Sequence, residues 1–258
     1  MKANQFTVAS TWQPRKETPE TLGRRTLTTL DALTRISPYF RGWRFADLKL
    51  SVEDMLDEDP ETVEKILQKA ERPLEDVRDR MAGVVENGVR RDDFGEPEPE
   101  GGYSITAFSD NSNPWRHVTF SAHGGGIIDP RAGLRFAQLE TAHDRLPDPA
   151  IVSYEVFRSV LTTIASAWEV EYAQAYSNSL RERWHQPYPY TFDLAWMTYL
   201  SPKLAHRVAP PLDVLTERGG DGGLLMIAAE ETFNASNTKH MAAARSIRTS
   251  LAGLNAEM

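Results

Sequence analysis

Apolar and polar positions alternate first at helical and later at strand spacing along this chain. Phe6-Thr7-Val8 reads as an opening strand. Thr18 can then cap a helix with Pro19 in its first position, Leu22, Leu27, Leu30 and Leu33 on one face, and Ser37-Pro38 at its end. Three helical pieces are predicted next. Ser51 and Asp54 have capping-box spacing before Met55 and Leu56, and Asp59-Pro60 opens a stripe of Val63, Ile66, Leu67 and Ala70. Leu74, Val77, Met81, Val84 and Val85 form the third, stopping at Asn87-Gly88.

Glu96-Pro97-Glu98-Pro99-Glu100-Gly101-Gly102 reads as a loop, and beyond it the period changes to two. Tyr103, Ile105 and Ala107, then Val118, Phe120 and Ala122, then Leu134 and Phe136 predict an antiparallel meander. Asp148-Pro149 is expected to open a long helix carrying Phe157, Val160, Leu161, Ile164 and Trp168. Val170 and Tyr172 suggest a strand, Ser177–Trp184 a short helix, and Leu194–Leu200 a buried strand. Gly219–Gly223 reads as a hairpin tip between Leu212–Leu215 and Leu224–Ala229, and Asn237 caps a last helix with Met241, Ala244, Ile247 and Leu251 inside. Helices grouped between groups of strands predict an α+β fold: mixed, largely antiparallel sheets packed on helices, with an acidic helical segment after the first helix. Residues 1–258 suit one such domain, with a possible split near 96–102.

Composition narrows the chemistry. The 258 residues are 40% hydrophobic and 26% charged and contain no cysteine, which removes disulfides, thiolate metal sites and a cysteine nucleophile. The start, Met1-Lys2-Ala3-Asn4-Gln5-Phe6, lacks the apolar run of a signal peptide, and a soluble cytoplasmic protein is expected. Charge is unevenly placed. Residues 51–100 hold 17 acids and 7 bases, whereas the other 208 residues hold 20 acids and 22 bases. Such a segment disfavours phosphate contacts and suits either a solvated surface or a basic protein partner.

No catalytic constellation stands out. None of the six histidines is paired at HExxH spacing, so no metal site is expected, and no cofactor motif is present. His123-Gly124-Gly125-Gly126 is similar to the oxyanion-hole segment of esterases, but the nucleophile elbow that should accompany it is missing. A glycine turn between two strands accounts for it better. Gly219–Gly223 lacks the lysine of a phosphate loop, and Glu230-Glu231 reads as solvated charge.

One pattern points further. Phe6-Thr7-Val8 followed by Trp12-Gln13-Pro14-Arg15-Lys16-Glu17, an amphipathic helix, Pro38 and Trp43 resembles the start of the immunity protein 52 family. Ala195-Trp196-Met197-Thr198-Tyr199-Leu200-Ser201 is similar to that family's late strand, and Gly222-Gly223-Leu224-Leu225, Phe233 and a terminal helix follow in its order. The chain departs at Gln13 and Ala195, where glycines are expected. The resemblance implies a bacterial immunity protein that binds and neutralises a cognate toxin, often one with a restriction-endonuclease-like domain, without catalysis, cofactor or metal. Alternatives are a hydrolase using the His123 turn and an acidic scaffold or adaptor.

The residues themselves suggest where binding would occur. Trp196 and Tyr199 differ by an odd number, so Trp196 is expected in the core while Tyr199 faces a helix or a partner. Trp12 is expected to pack, and Arg15 to tie its loop to an acid. The toxin-binding candidates are Asp57, Glu58, Asp59, Glu61, Glu64, Asp92 and Asp93 from the acidic segment, together with Tyr199.

Overall fold

The structure, a computed structural model, describes residues 5–46, 71–92, 94–109, 116–127, 136–142, 148–183 and 194–255. The stripes expected at 51–56 and 63–70 lie outside them. Ten strands are present among the described residues: β1 (Phe6–Thr11), β2 (Arg44–Ala46), β3 (Glu71–Pro73), β4 (Tyr103–Phe108), β5 (Val118–Gly124), β6 (Phe136–Thr141), β7 (Tyr172–Ser177), β8 (Met197–Leu200), β9 (Leu215–Arg218) and β10 (Leu224–Ile227). The longer helices are α1 (Pro19–Ile36), α2 (Met81–Asn87), α3 (Tyr154–Trp168), α4 (Asn178–Arg183) and α5 (Thr238–Ser250). This is the α+β class read from the sequence.

The chain forms two compact units. The first comprises Met1–Trp12, Pro114–Arg116 and Gln138–Met258, and the second Gln13–Asn113 and His117–Ala137. In the first unit the strand order is β6-β1-β7-β8-β10-β9. β1 runs antiparallel to β7 from Phe6↔Ser177 to Thr11↔Tyr172, and β7/β8, β8/β10 and β10/β9 are antiparallel too. Every residue of β8 and β10 is buried, which explains why both read as unbroken apolar runs.

Each face of these strands has its own core. On one, Phe6, Phe157 of α3 and Trp196 meet with ring centroids 5.5–6.1 Å apart. On the other, Tyr172, Leu200, Leu224 and Met226 pack with Ile247 and Leu251 at the C-terminal helix. Trp12 stacks on Trp168 at 5.3 Å, so its expected packing role holds. Asn237 caps α5 by accepting from Lys239 N–H. The start of α3 differs from expectation. Asp148 accepts from Ala150 N–H and pairs with Arg116, so Asp148-Pro149 makes a turn and Ser153 becomes the cap. The buried run before β8 is also irregular at Leu194–Trp196, where Trp196 Nε1 donates to Ala229 O at 2.8 Å.

In the second unit the order is β3-β2-β4-β5, antiparallel throughout. α1 starts and ends where its caps predict: Thr18 accepts from Thr21 N–H, and Ser37 closes the last turn onto Leu33 O. It packs on α2, burying Leu22, Leu30 and Leu33 with Met81, Val84 and Val85. The predicted helix over 74–87 is interrupted, one turn at Leu74–Val77 passing through a 3-10 turn at Arg78–Arg80 into α2. There Arg78 holds Asp31 of α1 in a two-pronged ion pair. Arg15 lies 3.1 Å from Glu17, which also accepts from Arg25, so the loop is tied to an acid as its sequence suggests.

Candidate functional site

The most distinctive surface feature of the second unit is a short hairpin after α2. The strand ladder starts it: Val89 bridges Tyr103, Arg90 N–H donates to Gly102 O and Glu98 N–H to Arg90 O. Arg91 then bridges Pro97. Asp92 organises the tip, its Oδ1 accepting from the amides of both Phe94 and Glu96 at 2.9 Å. Its own amide donates to Glu96 O, Gly95 N–H donates to Asp92 O, and Arg91 Nη1 donates to Gly95 O at 2.6 Å. Gly95 supplies the left-handed backbone the turn requires. Phe94 stands on this tip 91% exposed.

The glycine turn flagged in the sequence supports the base of the hairpin. Gly102 has φ +94°, and a Cβ there would lie 2.6 Å from Gly124 O and 2.9 Å from Gly126 N. Ile127 N–H donates to Glu100 O alongside. His123 and Ser104 are direct partners across β4 and β5. His123 Nε2 donates to Gly101 O at 3.1 Å, a carbonyl that can only accept, and Nδ1 shares a hydrogen bond with the Ser104 hydroxyl at 2.9 Å. The turn is therefore filled by neighbouring backbone, a packing role, where an oxyanion site would need room for a substrate carbonyl.

Polar clusters of the first unit close on themselves. Tyr199 is 7% exposed; its hydroxyl donates to Asp221 Oδ2 at 2.7 Å, and Gly223 packs under its ring, where a Cβ would sit 2.6 Å away. Burial first, and then the Asp221 carboxylate, push its hydroxyl above the ordinary phenol range. In return the Tyr199 hydroxyl and the Gly223 amide hold Asp221 below the usual carboxylate value. Arg158 grips Glu217 of β9 with two nitrogens, and its hydrogen bonds hold that carboxyl low. His240 is buried, accepting from Asn234 N–H at Nδ1 and meeting Glu231 at Nε2, 2.7 Å away. Glu231 is thus bound to His240 rather than purely solvated.

Of the sequence candidates, Asp57, Glu58, Asp59, Glu61, Glu64 and Asp93 lie outside the described residues. Asp92 is exposed and shapes the hairpin tip. Strand parity turns Tyr199 away from the Leu200 core, as expected, and there it packs on Gly223 and bonds Asp221 in the Gly219–Gly223 tip. Phe94 was missed. Its trace in the sequence is a lone aromatic between Asp92 and Gly95 in an otherwise polar stretch. Among the described residues no three His, Asp or Glu converge as metal ligands, and no helix is long and apolar enough to cross a membrane.

Residues 141–256 match the family Immunity protein 52. The resemblance seen in Ala195–Ser201, Gly222–Leu225, Phe233 and the terminal helix lies inside that span, and the family reading is borne out there. Phe6–Val8, Trp12–Glu17, Pro38 and Trp43 lie outside it. A solved structure of a Pseudomonas aeruginosa T6SS protein is similar at a TM-score of 0.48 and 14% identity, covering 95% of this chain and 73% of that one. No curated protein matches the sequence.

Proposed function

We propose that this chain is an immunity protein that binds a cognate bacterial toxin and neutralises it in a stoichiometric complex, with no catalysis of its own. The family match over residues 141–256 carries the reading. The packing role of the His123 turn supports it against a hydrolase. We read the toxin as a basic nuclease acting in the cytoplasm, because a surface that meets phosphates must be positive and residues 51–100 carry 17 acids against 7 bases. Asp57, Glu58, Asp59, Glu61 and Glu64, with Asp92 and Asp93, then steer its approach.

The test is co-expression with the toxin frame adjacent to this one. The two products should co-purify one to one with a dissociation constant in the nanomolar range or below, about −12 kcal/mol, and this chain should rescue cells expressing the toxin. No co-purification and no rescue would overturn the reading. Reversing Asp57, Glu58, Asp59 and Glu61 together to Lys should slow association about ten-fold at low salt and much less at high salt.

A further inference from the structure

We infer that Phe94, held on the Arg91–Pro97 hairpin, is the anchor that enters an apolar pocket on a basic surface of the toxin. The inference rests on the immunity reading and adds to it the residue that supplies the affinity. Four large hydrophobic side chains are exposed among the described residues: Phe94 at 91%, Ile127 at 47%, Leu212 at 106% and Leu215 at 39%. Phe94 is the aromatic one among them. Aromatic side chains dominate binding energies because they bury a large area at the cost of few rotatable bonds.

Two further observations choose the occupant. Asp92, Arg91 and Gly95 make five hydrogen bonds with one another, Phe94 and Glu96. A ring carried on a hydrogen-bonded turn incurs less ordering cost on binding than one on a free loop, which is how an anchor keeps its affinity. The ring also belongs to an acidic stretch of chain. Asp92, Glu96 and Glu100 of the same short segment are exposed, while its two arginines are engaged, Arg91 with Gly95 O and Arg90 with Glu98. An acidic segment repels a second copy of the same hairpin and complements a basic partner.

The experiment measures binding of the adjacent frame's toxin, as a catalytically inactive variant, to wild-type protein and to Phe94→Ala, Phe94→Leu and Leu212→Ala. Circular dichroism and thermal midpoints check that each variant folds. Phe94→Ala should weaken binding by about 30-fold or more, chiefly through faster dissociation, with Phe94→Leu intermediate and Leu212→Ala within about three-fold. Glu96→Lys with Glu100→Lys should slow association several-fold at low salt only. Wild-type binding with Phe94→Ala within three-fold of it overturns this inference and leaves the immunity reading standing. A wild-type protein that does not bind the toxin overturns both. A dimer, seen by light scattering, that Phe94→Ala abolishes while toxin affinity is unchanged assigns the patch to a second copy and also overturns the inference.

Discussion

Both units tie elements together with ion pairs, as Arg78 and Asp31 do in the second, but the second also uses polar side chains to build a hairpin tip. In the first, Tyr199 and Asp221, Arg158 and Glu217, and His240 and Glu231 pair with one another, locking strands and helices of the unit together. In the second, the hydrogen bonds of Asp92 and Arg91 hold a tip outward, with an aromatic ring at its end. The first unit contains all of the family match. A family pattern of this kind is written by packing: Trp196, Leu200, Leu224 and Phe233 are each buried and have few acceptable replacements. A surface that recognises one partner carries no such constraint from the fold.

Four substitutions would sharpen or break that contrast, and the largest effect is expected in the core of the first unit. Trp196→Ala removes a fully buried indole from between Phe6 and Phe157 and strands Ala229 O; it should cost about 3–5 kcal/mol in urea unfolding. Next, Gly102→Ala forces a Cβ into the Gly124 carbonyl from a backbone at φ +94°, for about 2–3 kcal/mol. Its signature should be faster amide exchange at 88–104 with β1, β7 and β8 unaffected. Faster exchange throughout would mean that the two units unfold as one.

A smaller effect is expected of Tyr199→Phe, about 1 kcal/mol, with toxin affinity unchanged because the hydroxyl already serves Asp221. A large loss of affinity with stability intact would place Tyr199 in the interface. Glu217→Gln should be smaller still, about 0.5 kcal/mol at neutral pH, since Arg158 is 40% exposed and water screens the pair. Its direction with pH is fixed. Glu217 is held below its ordinary 4.5, so its contribution is full above that value and is lost as pH falls through the lower, folded one. Denaturation midpoints between about pH 5 and 2 should therefore fall less steeply in Glu217→Gln than in wild type.

Local chemistry explains how much of this was legible beforehand. α1 could be placed to the residue because Thr18, Pro19 and Ser37 act within one turn of it. α5 followed from Asn237 in the same way. α3 was started too early because Asp148-Pro149 has the composition of a cap, and only the fold shows that Asp148 is occupied by Ala150 and Arg116. The role of the glycine turn depends on Gly101 and Gly102 arriving from another segment, which no spacing encodes. Phe94 is the opposite case: a single aromatic in a polar loop has no period to betray it, and its exposure is a property of the finished surface.

The way β1 is paired has a consequence for the order in which the molecule can form. Thr11↔Tyr172 closes a loop of about 160 residues, and every residue of the second unit lies inside that loop. Loop closure over such a span costs several kcal/mol of chain entropy before any contact repays it, and folds dominated by distant pairings are slow. The second unit ends at Ala137, so all of it has been synthesised before β7 exists to receive β1. Refolding should therefore be biphasic, with protection of α1 and α2 in the fast phase and of β1 in the slow one. A ribosome pausing beyond residue 137 would hold a chain whose acidic hairpin is already built while its family-matched half is still unfinished.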